Sequence, residues 1–177
     1  MSDNHAVVTK YQNPTLFNPS GNFYVGKTLG EIWGYKTNGL IQDSTGAAAF
    51  NALNHSFVST QPWKPGDVNF VDRNGDGKIN NGANRLDSMG DLRVIGNSNP
   101  RYAYAFTGSL DWKGLSFSFV IQGIAKRNYA PSQADVYFWG YSSYAQVTVF
   151  KQSLDYWTPS NPKAYYPAPY TNTGGAI

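Results

Sequence analysis

The sequence contains no cysteine, which excludes a disulfide framework and thiolate chemistry while leaving the compartment open. Glutamate occurs once, at Glu31, and charged residues make up only 14% of the chain, against about 25% in ordinary soluble domains. The two histidines, His5 and His55, stand in no metal-ligand spacing. There is no G-x-S-x-G elbow, no G-x-x-x-x-G-K-[ST] phosphate loop and no G-x-G-x-x-G, so the inventory is not that of an enzyme. No run approaches the ~20 apolar residues of a membrane helix. The N-terminal "MSDNHAVVTKY" lacks the basic start and apolar run of a signal peptide. The net charge of +3 is spread out; the densest basic patch, Ala125 to Arg127, reads as solvated loop, and no nucleic-acid partner is expected.

What is present points to an all-β chain. Aromatics reach 16%, led by 13 Tyr, with 18 Gly and abundant Asn. Aromatics favour strands, whereas Gly and Asn favour turns. At 177 residues the chain is long enough for one domain with a sizeable core.

The clearest pattern lies between Arg101 and Ala125. Tyr102, Tyr104, Phe106, Leu110 and Trp112 alternate with Ala103, Ala105, Thr107, Ser109 and Asp111. After Lys113-Gly114 the apolar set moves to Leu115, Phe117, Phe119 and Ile121, opposed by Ser116, Ser118 and Gln122. Period-two patterning on both sides of a short turn predicts an antiparallel hairpin with strands near 101–111 and 115–125. Arms of this length suit a tilted strand crossing a bilayer. Alternation alone leaves two readings open. In a soluble sandwich the apolar face meets a core; in a membrane barrel it meets lipid, and the polar face lines a wet lumen. Terminal Tyr102, Tyr104 and Trp112, placed where interfacial girdles lie, favour the barrel.

Two further strands are expected near 4–11 and 29–37. Long loops follow over 38–100 and 126–170, the second holding twelve aromatics and five prolines. Four strands alternating with long outer loops and short inner turns fit barrel topology.

Within the first long loop, "VDRNGDGKINNGANRLD" (Val71 to Asp87) opens like a calcium loop. Asp72, Asn74 and Asp76 aim oxygens at one point, Gly77 permits the reversal, Lys78 offers its carbonyl and Asn80 stands at the ninth position. The twelfth position, where a bidentate Glu is wanted, is Ala83. With two carboxylates, affinity is weak unless Asp87 or Asp91 folds back. An Asx-rich turn without an ion is the alternative, and a structural calcium is the only cofactor in question. Asp87 and Asp91 could serve a glycoside hydrolase, but in a Gly-rich loop they read first as turn formers.

Four stretches now matter together: "VGKTLGEIWGYKTNGLIQ" (Val25 to Gln42), "PGDVNFVDRNGDGKINNG" (Pro65 to Gly82), "MGDLRVIGNSNPRYAYAFTGSLDWKGLSFSFVIQG" (Met89 to Gly123) and "LDYWTPSNPKAYYP" (Leu154 to Pro167). In this order they resemble the C-terminal part of the barrel in SusC/RagA-like TonB-dependent outer-membrane transporters. In that family the acidic loop commonly reads D-x-N-G-D-G-K-I-D-N-G-D. This chain keeps Asp72 and Asn74 to Ile79 but has Asn80 and Ala83 where acids are usual.

The resemblance implies that residues 1–177 are an incomplete transmembrane β-barrel segment in the outer membrane of a Gram-negative bacterium. It implies uptake of glycan oligosaccharides, or peptides, with a SusD-like surface lipoprotein as lid and TonB-ExbB-ExbD acting through a plug outside this chain. A longer protein is expected, since such transporters continue beyond "TNTGGAI". Ser109, Asp111, Ser116, Ser118 and Gln122 would line the lumen, and Tyr137, Trp139 and Tyr141 would contact substrate or lid. The rival reading is a secreted, calcium-assisted carbohydrate-binding β-sandwich.

Overall fold

The computed structural model describes residues 2–132, 135, 138 and 150–169. Its elements run β1 (Ser2–Asp3), β2 (Glu31–Tyr35), β3 (Thr37–Leu40), α1 (Ser44–Asn51), β4 (Val68–Phe70), β5 (Leu92–Asn97), β6 (Tyr102–Trp112) and β7 (Leu115–Ala125), with a 3-10 turn at Lys151–Leu154. The class is all-β, and α1 is short. Among the described residues no helix is long and apolar enough to cross a membrane. The chain divides into two compact units.

The first unit comprises Met1–Gly34, Asn84–Asp87 and Arg93–Ala130. Its centre is the β6–β7 hairpin, paired without a slip from Tyr102↔Ala125 to Trp112↔Leu115. Lys113 (φ 46°) and Gly114 (φ 83°) close it as a two-residue turn in which both central residues have positive φ. On the other side of β6, β1 pairs antiparallel through Ser2↔Ala103 and Asp3↔Tyr102. The chain therefore leaves the sheet at Asp3 and rejoins it beside the same point at Tyr102. Residues 4–101 form one excursion between neighbouring strands.

That topology corrects the expected strand count. Residues 4–11 are not a strand; they carry one bridge, Val7↔Thr28, flanked by Val8 N–H to Lys27 O and Leu29 N–H to Ala6 O. Every residue there except Val8 is exposed, so no buried face rewards a longer ladder. The strand expected at 29–37 splits. Its first part, β2, pairs with β5, and its last residue belongs to β3, which pairs with β4. The two arms β6 and β7 alone have membrane-crossing length among the described residues.

The second unit comprises Tyr35–Ala83, Ser88–Leu92 and Pro131–Ile177. The stretch expected to be featureless loop over 38–100 carries β3, α1, β4 and β5. Asp43 caps α1, accepting the Gly46 N–H at 2.7 Å, a contact worth about 1 kcal/mol. Eight residues do not hold a helix in water alone. Burial of Ala47 and Phe50 against Ile41 and Ile79 supplies the rest, with Tyr35, Leu53, Val58, Trp63 and Phe70 packed around them. Phe50 and Trp63 stack at 5.4 Å, and the Trp63 indole N–H donates to the Val68 carbonyl at 2.9 Å. Sequence patterning misses this core because its apolar groups come from short, unlike elements and share no period.

Candidate functional site

Strand pairing gives the hairpin two unlike faces. Cross-strand pairs Phe106↔Ile121, Leu110↔Phe117 and Trp112↔Leu115 lie on one; Ser109↔Ser118 and Asp111↔Ser116 lie on the other, with Ala105↔Gln122. The apolar face is bare: Phe106 is 63% exposed, Leu110 65% and Phe117 63%. Phe119 lies across Gly108, where an added Cβ would strike the ring, and Tyr104 covers Gly123 in the same way. Small residues thus let two large rings lie flat over the opposite strand. On the polar face the Ser116 hydroxyl donates to the Asp111 carboxylate.

The Asp72 loop is built from its own amides. Gly75 and Gly77 N–H donate to the Asp72 carboxylate at 2.7 and 2.9 Å, and Lys78 N–H donates to Asp76 at 2.9 Å. Asn74 Oδ1 accepts from Asp76 N–H at 3.3 Å, while Asn80 Oδ1 accepts from Gly82 N–H at 2.6 Å. Gly77 (φ 74°) makes the reversal that a side chain would resist. Ile79 is fully buried and anchors the loop in the core of the second unit.

Asp91 does fold back. Its side chain is 0% exposed and accepts from Arg73 N–H at 2.7 Å and Asn80 N–H at 3.1 Å, joining the two ends of the loop. Among the described residues no three His, Cys, Asp or Glu side chains group as a metal site. Every oxygen-bearing side chain of the set accepts from a loop amide, so the loop is braced from within. The charge of Asp91 also reaches Tyr35, whose pKa is raised by burial first and by that carboxylate second. Asp87 meets the Arg85 guanidinium at 2.9 Å on an open surface, and that bond holds its pKa below the ordinary carboxylate value. Asp91 is buried with each oxygen accepting from a backbone amide, which makes it a structural acceptor.

One network was not singled out from sequence. Glu31 accepts from Thr28 N–H (2.8 Å), the Tyr24 hydroxyl (2.9 Å) and the Trp33 indole N–H (3.1 Å). Burial, then the bond to Glu31, pushes the Tyr24 phenol far above its usual value. Beside it the buried Lys27 ammonium donates to the carbonyls of Pro19, Ser20 and Asn22 at 2.7, 3.2 and 2.8 Å. Burial lowers the Lys27 pKa, and the charge of Glu31 acts against that shift. The only available signal was that the one glutamate of the chain stands four residues after a lysine.

Tyr137, Trp139 and Tyr141 lie outside the described residues. Among the described aromatics of the same stretch, Trp157 is buried with its indole N–H donating to Gln42 at 3.2 Å, and Tyr165 meets Tyr166 edge-on at 4.9 Å.

No family model matches the chain. Over 107 residues it is 32% identical to a TonB-dependent receptor of Formosa agariphila, an alignment that covers 60% of this chain and 10% of that receptor. The chain thus spans about a tenth of the curated relative it matches. Its two hairpin arms have bilayer-crossing length, and over the aligned residues the chain is similar to a TonB-dependent receptor.

Proposed function

We propose that this chain is a wall-and-loop segment of a TonB-dependent outer-membrane transporter of the SusC/RagA kind, importing glycan oligosaccharides or peptides. The observation that carries the reading is the β6–β7 hairpin. At ~3.4 Å per residue an 11-residue arm spans about 37 Å, and a 45° tilt reduces that to about 26 Å, matching the ~25 Å apolar band of outer-membrane barrels. The apolar face would meet lipid. Ser109, Asp111, Ser116, Ser118 and Gln122 would face the lumen. Among the described residues β7 has β6 as its one neighbour, and β6 meets β1 only at Ala103 and Tyr102. Edges left this open are satisfied by further strands in a closed barrel.

On this reading the Lys113-Gly114 turn faces the periplasm, and residues 4–101 and 126–170 lie outside the cell. There they would meet the nutrient and a SusD-like lipoprotein, with Tyr137, Trp139 and Tyr141 among the contacts. TonB-ExbB-ExbD would act through a plug domain elsewhere in the longer protein. The chain would carry transport and no catalysis. Fractionation and gene deletion test this together: the full-length protein is expected in the outer membrane, and its loss is expected to abolish growth on one class of oligomer at limiting concentration. A soluble full-length protein would overturn the barrel, and unimpaired growth on every oligomer would overturn import.

The Asp72 loop we read as a brace for the outer segment, held by amides. Millimolar calcium is expected to leave its thermal melting unchanged. A rise of several degrees, lost in Asp76→Ala, would instead assign a structural calcium to Asp72, Asn74, Asp76, Lys78 and Asn80.

A further inference from the structure

Within the first unit a cleft of about 440 Å³ opens at the end of the hairpin opposite the Lys113-Gly114 turn. That volume lies within the range of small-ligand sites. Its walls come from four stretches: the departing segment at Asn4 to Ala6, the start of β2, the end of β5 with its extension to Arg101, and the chain just after β7. Hydrogen bonds tie these walls to one another. Asn4 N–H donates to Arg101 O at 2.7 Å, Ser98 N–H to Gly30 O at 2.8 Å, and Asn128 N–H to Asn97 O at 2.8 Å. The side-chain amides of Asn97 and Asn99 both donate to Leu29 O at 3.0 Å. A cleft pinned in this way does not have to be ordered by its ligand.

Of the cleft's charges, Arg101 pairs with Asp3 from just outside the lining, and Lys126 is left over. Glu31, the lining carboxylate, already holds three donors. Arg101 gives its Nε to Asp3 at 3.1 Å, which leaves most of the five guanidinium donors uncommitted to that ion pair. No described residue pairs with the Lys126 ammonium. The His5 ring has a single long contact, 3.4 Å to the Thr28 hydroxyl.

We propose that this cleft is a subsite for a carboxylate of the imported oligomer, held by Lys126 and Arg101 with His5 at the rim. The inference rests on the import reading above, which puts this end of the hairpin on the outer side. An acid group would supply the charge that Glu31 does not, and hydroxyl or amide groups beside it would meet the asparagine-rich wall.

The test is titration calorimetry on the full-length receptor in detergent. The probes are a uronic-acid trisaccharide, the same trisaccharide with its carboxyls reduced to alcohols, and a tripeptide. An acidic probe is expected to bind, and raising salt from about 50 to about 500 mM is expected to weaken it. Lys126→Gln should cost that probe roughly tenfold in affinity, Lys126→Arg should restore most of it, and Lys113→Gln, at the far turn, should change nothing. Whether trisaccharide or tripeptide responds identifies the source of the carboxylate. Equal binding of the acidic and reduced sugars, untouched by Lys126→Gln, would overturn the subsite and leave import standing. A receptor that binds none of the probes, from a strain whose growth on oligomers survives its deletion, would overturn both.

Discussion

Eleven consecutive register pairs hold β6 to β7, whereas the Asp72 loop has no ladder and is held by carboxylates turned onto backbone amides. The hairpin is regular and bare; the loop is irregular and rooted in a core at Ile79. Regularity and burial are therefore separate properties here. β1 adds only two residues to one end of the sheet, so most of the hairpin is a two-stranded ribbon. Such a ribbon is marginal in water and depends on what surrounds it, while the loop carries its stabilising contacts within its own unit.

The largest effect should come from reversing the polarity of the bare face. Phe106→Arg together with Ile121→Arg places two cations on a cross-strand pair near the middle of the arms. A cation facing lipid at that depth costs about 2–4 kcal/mol. On the proposed import reading, the full-length protein is expected to lose its folded, heat-modifiable form in the outer membrane. Ser109→Arg, on the opposite face, should leave that form in place. Equal loss from both changes would mean that the two faces have been assigned wrongly.

The loop is broken from within. Asp91→Ala removes the acceptor for Arg73 N–H and Asn80 N–H, and an orphaned buried amide costs about 1–3 kcal/mol. Hydrogen exchange at those two amides should accelerate strongly, while protection across the β6–β7 ladder stays as it was. Exchange that rises in both regions would show the two to be one cooperative element.

Legibility in the sequence follows the same contrast. The hairpin could be read because a pleated strand writes its two faces into alternate residues, as Tyr104, Phe106 and Leu110 do against Ala105, Thr107 and Ser109. The Gly77 reversal could be read because a tight Asx-rich loop demands particular residues at fixed offsets. The partner of each carboxylate could not, since a backbone amide has no letter of its own in the sequence. The cluster of Phe50, Trp63 and Ile79 was hidden for a related reason: its members meet only after a capped helix and two short strands have brought them together. The strand expected at 4–11 failed because its alternation is weak and nothing covers either side.

The smallest effect belongs to the open surface. Arg85 and Asp87 meet at 2.9 Å with side chains 42% and 54% exposed, and water and salt screen such a pair. The pKa of Asp87 lies below its ordinary value of 3.8, chiefly through its hydrogen bond to Arg85. A carboxyl whose pKa is lowered on folding stabilises the folded state above its unfolded pKa, and that contribution fades as pH falls through the folded value. Asp87→Asn should therefore leave melting near neutral pH almost unchanged. Its small deficit should shrink as pH falls below 3.8 and through the lowered folded value, where the wild-type carboxyl takes up its proton. A deficit at pH 7 as large as that of Asp91→Ala would mean that Asp87 is covered by a contact outside the residues described.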